Sequence, residues 1–168
     1  MQGLMQSYPL TLTHVFRRAE RLFPEKEIAT VQGDGIVRVT YGEWAERTRR
    51  LAGVLDALEI SADARVGTFA WNTARHLELY FAAPCSGRVL HTLNIRLFPD
   101  DIVYIADHAE DEIVFVDRSL LKIFWPLIDR LETVKHVVVM DDGGDNEVPD
   151  DPRVHDYEEL LAKADPVD

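Results

Sequence analysis

The chain has 168 residues, 46% hydrophobic and 29% charged, with 18 basic against 30 acidic side chains and a net charge of −12. That is enough for one domain with a sizeable core, and no apolar run approaches the roughly 18 residues of a membrane span. One cysteine, Cys85, rules out an internal disulfide and any multi-cysteine zinc site, and the negative charge disfavours nucleic acid and anionic membrane as partners.

Residues 1–12 show no clear period and read as an arm, without the basic and apolar regions of a signal peptide. A cytoplasmic location with no transmembrane segment is expected. Thr13 is a candidate cap for a short helix with Val15, Phe16, Ala19, Leu22 and Phe23 on its apolar face, ended by Pro24. The β-rich runs 28–32 and 36–40 flank Gly33-Asp34-Gly35, which predicts a hairpin; no helix and Lys follow to make the turn a phosphate loop. Thr40 and Glu43 have the spacing of a capping box. The following helix places Trp44, Thr48, Leu51, Ala52, Leu55 and Leu58 on one face. Glu46, Arg47, Arg49 and Arg50 occupy the other, read as a solvated surface with local ion pairs.

From Arg65 the pattern changes. Apolar runs begin near Val66, Val89, Ile113 and His136, each separated by room for one helix, and they lack clean alternation. Strands buried on both faces of a parallel sheet have this character. Asn72 is a candidate cap for a helix carrying Leu77, Leu79, Tyr80, Phe81 and Ala82, with Pro84 ending it before Gly87. Pro99 suits the first turn of the next helix, with Asp100 and Asp101 at the favourable end of its dipole. Ser119 is read as the cap of a third helix burying Leu120, Leu121, Ile123, Phe124 and Trp125. A strand at 136–140, a Gly/Asp/Pro-rich loop at 141–151 and a short helix at 157–163 complete the chain. Residues 141–168 hold eleven Asp and Glu against Arg153 and Lys163, and read as a solvated acidic surface or an acidic partner strip.

The expected fold is therefore α/β, a mostly parallel sheet flanked by helices with an N-terminal β-hairpin. The expected division is an arm (1–12), a helix–hairpin–helix unit (13–64), a βα-repeat sheet (65–140) and an acidic loop with a short helix leading to a missing continuation (141–168).

No phosphate-loop, nucleophile-elbow, zinc-protease or dinucleotide fingerprint occurs, and the six histidines lack the short spacing of a zinc pair. His108 is read as closing a helix end and Cys85 as a buried structural thiol. The polar residues best placed for contact follow the first two parallel strands: Trp71 and Asn72, then Asn94 and Arg96. Ligands of open α/β sheets gather at such carboxyl ends. These four are candidates for ligand or interdomain contact, or for holding their loops; no residue is assigned a catalytic or metal-binding role.

Several segments resemble AMP-forming acyl-CoA synthetases, most closely long- and medium-chain fatty-acid–CoA ligases. They are Thr40-Tyr41-Gly42-Glu43; Asp63 through Val66; the helix from Arg75 to Pro84; Gly87 through Leu97 with His91, Asn94 and Arg96; Tyr104-Ile105; His108 to Asp111; Asp117; and Ala164-Asp165-Pro166. The resemblance implies the N-terminal fragment of a ligase that forms an acyl-adenylate from fatty acid and ATP, then an acyl-CoA thioester. ATP, Mg²⁺ and coenzyme A are implied for the full-length enzyme, and a homo-oligomer is expected. The family's phosphate loop and adenylation Lys lie beyond this sequence, so no catalytic residue carries over and the chain alone is expected to be inactive. Glu59 stands where the family often has a helix-ending Gly, and a different or weaker helix end is expected there. A non-catalytic α/β interaction or dimerisation module derived from the same fold is the alternative. A small nucleotide-binding protein is disfavoured, because no glycine-rich turn follows a buried strand.

Overall fold

In the computed structural model, residues 8–167 are described. Most of the expected arm lies outside them, but Leu12 already belongs to the first helix, α1 (Leu12–Leu22). Its N-cap is Thr11, not Thr13, and no side chain caps it. Only Phe16 of its apolar residues is buried; Val15 and Leu22 face outward. Phe16 is its aromatic anchor, packing 5.1 Å from Trp44, which meets Phe81 edge-on at 5.0 Å, while Ala19 packs partly on the same cluster.

Strands β1 (Glu27–Gln32) and β2 (Gly35–Thr40) form the expected antiparallel hairpin, with Gln32 opposite Gly35. Gly33, the first turn residue, has φ +56°, a conformation that glycine adopts without a Cβ clash. The Thr40–Glu43 capping box is complete and opens α2 (Tyr41–Ala57). Trp44, Thr48, Leu51, Ala52 and Leu55 are buried as expected, and Leu58 packs partly on the core.

The expected parallel strands are all present: β3 (Arg65–Phe69), β4 (Val89–Thr92), β5 (Asp111–Asp117) and β6 (His136–Met140). A fifth, β7 (Val154–Asp156), is too short to show as a pattern in sequence. The sheet order is β4-β3-β5-β6-β7, all parallel. Both faces are covered, as a parallel sheet requires. On one, α2, α3 (Ala74–Cys85) and α6 (Tyr157–Lys163) pack on Val66, Ile113, Phe115, Val138 and Met140. On the other, α4 (Pro99–Ala109), the short helix α5 (Leu121–Phe124) and the 3₁₀ turns beside it pack on Phe69, Val114, Val116, Val137 and Val139.

Several local readings are corrected. Thr73, not Asn72, caps α3, its side chain accepting from the His76 amide. Ser119 caps no helix, because the chain there begins as a 3₁₀ turn. Tyr80 and Ile123 are exposed. His108 lies in the last turn of α4, at the favourable end of its dipole as expected, but it stacks on Tyr104 at 5.5 Å while left-handed Glu110 closes the helix. Cys85 is exposed; its sulfur lies against Thr13, and partial burial pushes the thiol above its usual range.

The arginine face of α2 is not a solvated surface either. Arg50 does pair locally with Glu46, but it also donates to the Ala164 carbonyl, and Arg49 pairs with Glu20 and donates to Val167 O. They fasten segment 164–167 across α2 at Gly53, where an added Cβ would lie 2.2 Å from Asp165 O.

Glu59 adopts the left-handed conformation after all, with φ +56°. The Ile60 amide donates to Leu55 O and the Glu59 amide to Asp56 O, both at 3.0 Å, and buried Ile60 packs in the same cluster as Leu55. This is the Schellman ending, held by its hydrogen bonds and apolar contact although the residue is unsuited to it. Glu59→Gly therefore stabilises the chain by about 0.5–1 kcal/mol, less what glycine adds to unfolded-state entropy. Urea denaturation midpoints of the two forms check the sign.

Candidate functional site

From β3 the chain goes to β4 on one side and then returns to β5 on the other. The loops leaving β3 and β5 therefore diverge, which makes the carboxyl edge between these strands the topological switch point where open α/β sheets take ligands. Trp71 and Asp117 meet there. The Trp71 amide donates to Asp117 Oδ2 at 2.6 Å, and the indole Nε1 donates to Ser119 Oγ at 3.0 Å. Ser119 Oγ donates in turn to Asp142 Oδ2, while Asp142 Oδ1 accepts from the Ser119 and Gly144 amides. The loops after β3, β5 and β6 are thus joined by one chain of hydrogen bonds.

His76 secures this edge from α3. Its Nδ1 lies 3.0 Å from the Trp71 carbonyl and donates to it, and Nε2 lies 3.0 Å from Thr68 Oγ1. Burial lowers the His76 pKa, which favours the neutral imidazole. Asp117 is 1% exposed, and among the described residues its Oδ1 has no hydrogen-bond partner. Burial pushes its pKa up to about 7; the Trp71 amide and Arg75 oppose that rise, and Asp142 adds to it.

The four candidate residues divide. Trp71 is 44% exposed and stands at the switch point. Asn72 beside it is exposed, with no side-chain hydrogen bond among the described residues. Asn94 and Arg96 follow β4 on a neighbouring loop, and no hydrogen bond joins them to Trp71 or Asn72 among the described residues. Asn94 Oδ1 accepts from the Arg96 amide at 3.0 Å, so Asn94 holds its own loop. That leaves the Arg96 guanidinium exposed, with no partner among the described residues. The sequence alone gives Asp117 no site role, reads Ser119 as a cap and places Asp142 in an acidic surface or partner strip; a carboxylate ending the central buried strand is the available signal.

Two further buried acids were missed. Asp111, fully buried, is hydrogen-bonded through both carboxyl oxygens to His91 Nδ1, at 2.8 and 2.9 Å. Burial raises it to about 6, against the pull of His91 and Arg65. Glu78, on the face of α3 shared by Ala74 and Ala82, is 1% exposed. It accepts from Arg47 Nε at 2.7 Å and from the Tyr157 hydroxyl, and Arg47 continues to Glu158, which also binds Arg75. Burial raises Glu78 above the ordinary glutamate range and Tyr157 well above that of tyrosine. A cavity of about 630 Å³ opens beside this cluster, between the hairpin (Val37, Val39) and α2 and α3. Among the described residues no group of three or more His, Cys, Asp or Glu is placed to hold a metal ion.

An AMP-binding enzyme family model matches residues 16–167. The chain is 39% identical over 166 residues to a 3-methylmercaptopropionyl-CoA ligase of Ruegeria lacuscaerulensis, a match that covers 98% of this chain and 31% of that protein. It is 45% identical over 139 residues to a long-chain-fatty-acid–CoA ligase of Thermus thermophilus, covering 82% of this chain and 26% of the other. The crystal structure of a benzoate CoA ligase from Burkholderia xenovorans shares the fold, with a TM-score of 0.75 at 22% identity over 95% of this chain and 29% of that one. The chain thus spans about a third or less of each of these three proteins.

Replacing Arg47 by Met leaves Glu78 buried without its cation and costs about 3 kcal/mol at pH 7. Glu78 has a raised pKa in the fold, so its neutral form favours folding at low pH and that contribution is lost as pH rises through the raised value. Losing Arg47 raises it further, so the deficit is smaller at pH 5 than at pH 7. Denaturation of both forms at the two pH values reads this directly; an equal deficit contradicts it.

Proposed function

The chain belongs to the AMP-binding enzyme family, and on that premise we propose that it forms the amino-terminal part of an ATP-dependent fatty-acid–CoA ligase. The observation that carries this reading is the match to CoA ligases along nearly the whole chain. In the longer enzyme the fatty-acid carboxylate attacks the α-phosphorus of ATP, giving acyl-adenylate and pyrophosphate. The thiol of coenzyme A then displaces AMP and forms the thioester. ATP and coenzyme A are polyanions, and Mg²⁺ offsets phosphate charge when bound. A cytoplasmic setting belongs to the same reading; among the described residues no helix is long and apolar enough to cross a membrane.

Within that enzyme this chain supplies the covered sheet and the loops at its carboxyl edge. Arg96, exposed at the loop after β4, contacts a phosphate-bearing ligand or the remaining portion of the enzyme, with Asn94 fixing its loop. Trp71 and Asn72 are the corresponding contacts after β3. The test is a chimera in which residues 12–167 replace the matching segment of the Thermus ligase. A folded chimera forms acyl-CoA from fatty acid, ATP and coenzyme A, and Arg96→Ala raises KM for one substrate at least several-fold without lowering thermal stability. A folded chimera without acyl-CoA formation overturns the reading.

A second reading, an α/β interaction or dimerisation module, is favoured by exposed apolar side chains. Val31 and Ile36 oppose one another on the hairpin, and Phe98 and Tyr104 stand out from the start and face of α4. Size-exclusion chromatography with light scattering of the 168-residue chain is expected to give a species larger than the monomer. A clean monomer removes the support for self-association.

A further inference from the structure

We propose that α1 is an interfacial helix that seats this chain on an anionic lipid surface. Its arginines meet the headgroup phosphates, and its exposed aliphatic side chains enter the acyl boundary beneath them. The proposal stands on α1 and its neighbours alone and is tested without the ligase reaction.

Two features of one helix carry it. The first is an apolar row left bare while the inner side is anchored. Inside, Phe16 packs on Trp44, Arg49 lies over the Phe16 ring at 5.3 Å, and Glu20 pairs with Arg49 at 3.0 Å. Outside, Val15 and Leu22 are 55% and 58% exposed and share a row with Arg18, at the i, i+3, i+7 spacing of a helix face. Leu10, 97% exposed, adds an aliphatic side chain just before the helix, where the Tyr8 hydroxyl lies 2.9 Å from His14 Nδ1 and ties the leading segment back to α1. The second feature is charge. Arg17 and Arg21 form the row beside Arg18, and all three are exposed. None of them has a carboxylate partner among the described residues, whereas Arg47, Arg75, Arg88 and Arg153 all have one. Their aliphatic stems extend the apolar surface while their guanidinium groups reach to polar headgroups.

The net charge of −12 disfavours an anionic membrane for the chain as a whole, but its distribution spares α1. The helix holds one acid, Glu20, which is engaged by Arg49. Glu25 in the following turn and Asp165 on the segment crossing α2 are exposed acids, and they stand against three arginines and Lys26. Other exposed apolar side chains have different company: Phe98 and Tyr104 stand beside Asp100, Asp101 and Asp107 of α4. A convex row of aliphatic and basic side chains suits a lipid interface, which closes around it, better than a protein partner, which anchors in pockets. Each arginine near an anionic surface strengthens binding about fivefold, and salt screens that gain.

The test is flotation of the 168-residue chain with phosphatidylcholine vesicles, with and without phosphatidylglycerol. Binding is expected only to the anionic vesicles and is expected to weaken as salt rises. The triple variant Arg17→Gln/Arg18→Gln/Arg21→Gln is expected to lose at least about tenfold in affinity. Val15→Ser/Leu22→Ser is expected to lose several-fold, and both variants to unfold thermally close to the unmodified chain. No binding, equal binding to both vesicles, or full binding by either variant overturns the proposal. So does a salt-sensitive oligomer without lipid that the arginine variant abolishes, since the face then docks an acidic protein segment instead. If either variant fails to fold, hydrogen exchange of the unmodified chain decides. Slowing of the amides in 10–22 by anionic vesicles alone supports the proposal, and no change there refutes it.

Discussion

A parallel sheet has no face for water, and this constraint organises the molecule. Val114 and Val116 point to one side of β5, Ile113 and Phe115 to the other, and all four are fully buried. Two helical layers are therefore obligatory, and the chain must supply them from elements far apart in sequence. The layer over Ile113 and Phe115 is assembled from α2, α3 and α6, of which α6 is a seven-residue helix near the end of a strongly acidic segment.

So short a helix holds its place through what it touches. Tyr157 is fully buried in the layer and donates to Glu78, and Glu78 accepts from Arg47 on α2. A buried acid is expensive unless its cation and hydrogen bonds are in place, so the cluster specifies one arrangement of the three helices. The acidity of the tail is used in the same way: Glu158 receives Arg47 and Arg75, Asp151 receives Arg153, and Asp156 caps α6. Glu158 and Asp151 are thus matched by arginines, while Asp141, Asp145, Glu147 and Asp150 stay exposed to water.

The same sheet order creates the site. Because β5 returns beside β3 instead of continuing outward from β4, two loops part at the carboxyl edge, and Trp71 and Asp117 fill the gap. The polar groups there belong to the loops after β3, β5 and β6, three strands that are neighbours in the sheet. Their meaning comes from juxtaposition: a carboxylate that ends a buried strand, a second acid on the next loop, and an indole donor between them.

The sequence by itself determined the periodicities. Runs of Val, Ile and Phe spaced by helix-length intervals require a parallel sheet, Gly33 between β-rich runs requires a turn, and Thr40 with Glu43 requires a helix start, because each is a local rule about burial or backbone hydrogen bonds. The four candidate contact residues could be placed after β3 and β4, at the carboxyl edge of the sheet, for the same reason. What tertiary structure decided is which polar groups lose water. Asp117, Asp111 and Glu78 read as ordinary acids, Arg47 and Arg49 as solvated cations, and Cys85 as a core thiol, since nothing local states what packs against them. Glu59 shows the limit most clearly: its own preference is against the left-handed turn, and two backbone hydrogen bonds with the burial of Ile60 decide otherwise. Burial and pairing are properties of neighbours distant in the chain, and only the assembled layers bring those neighbours together.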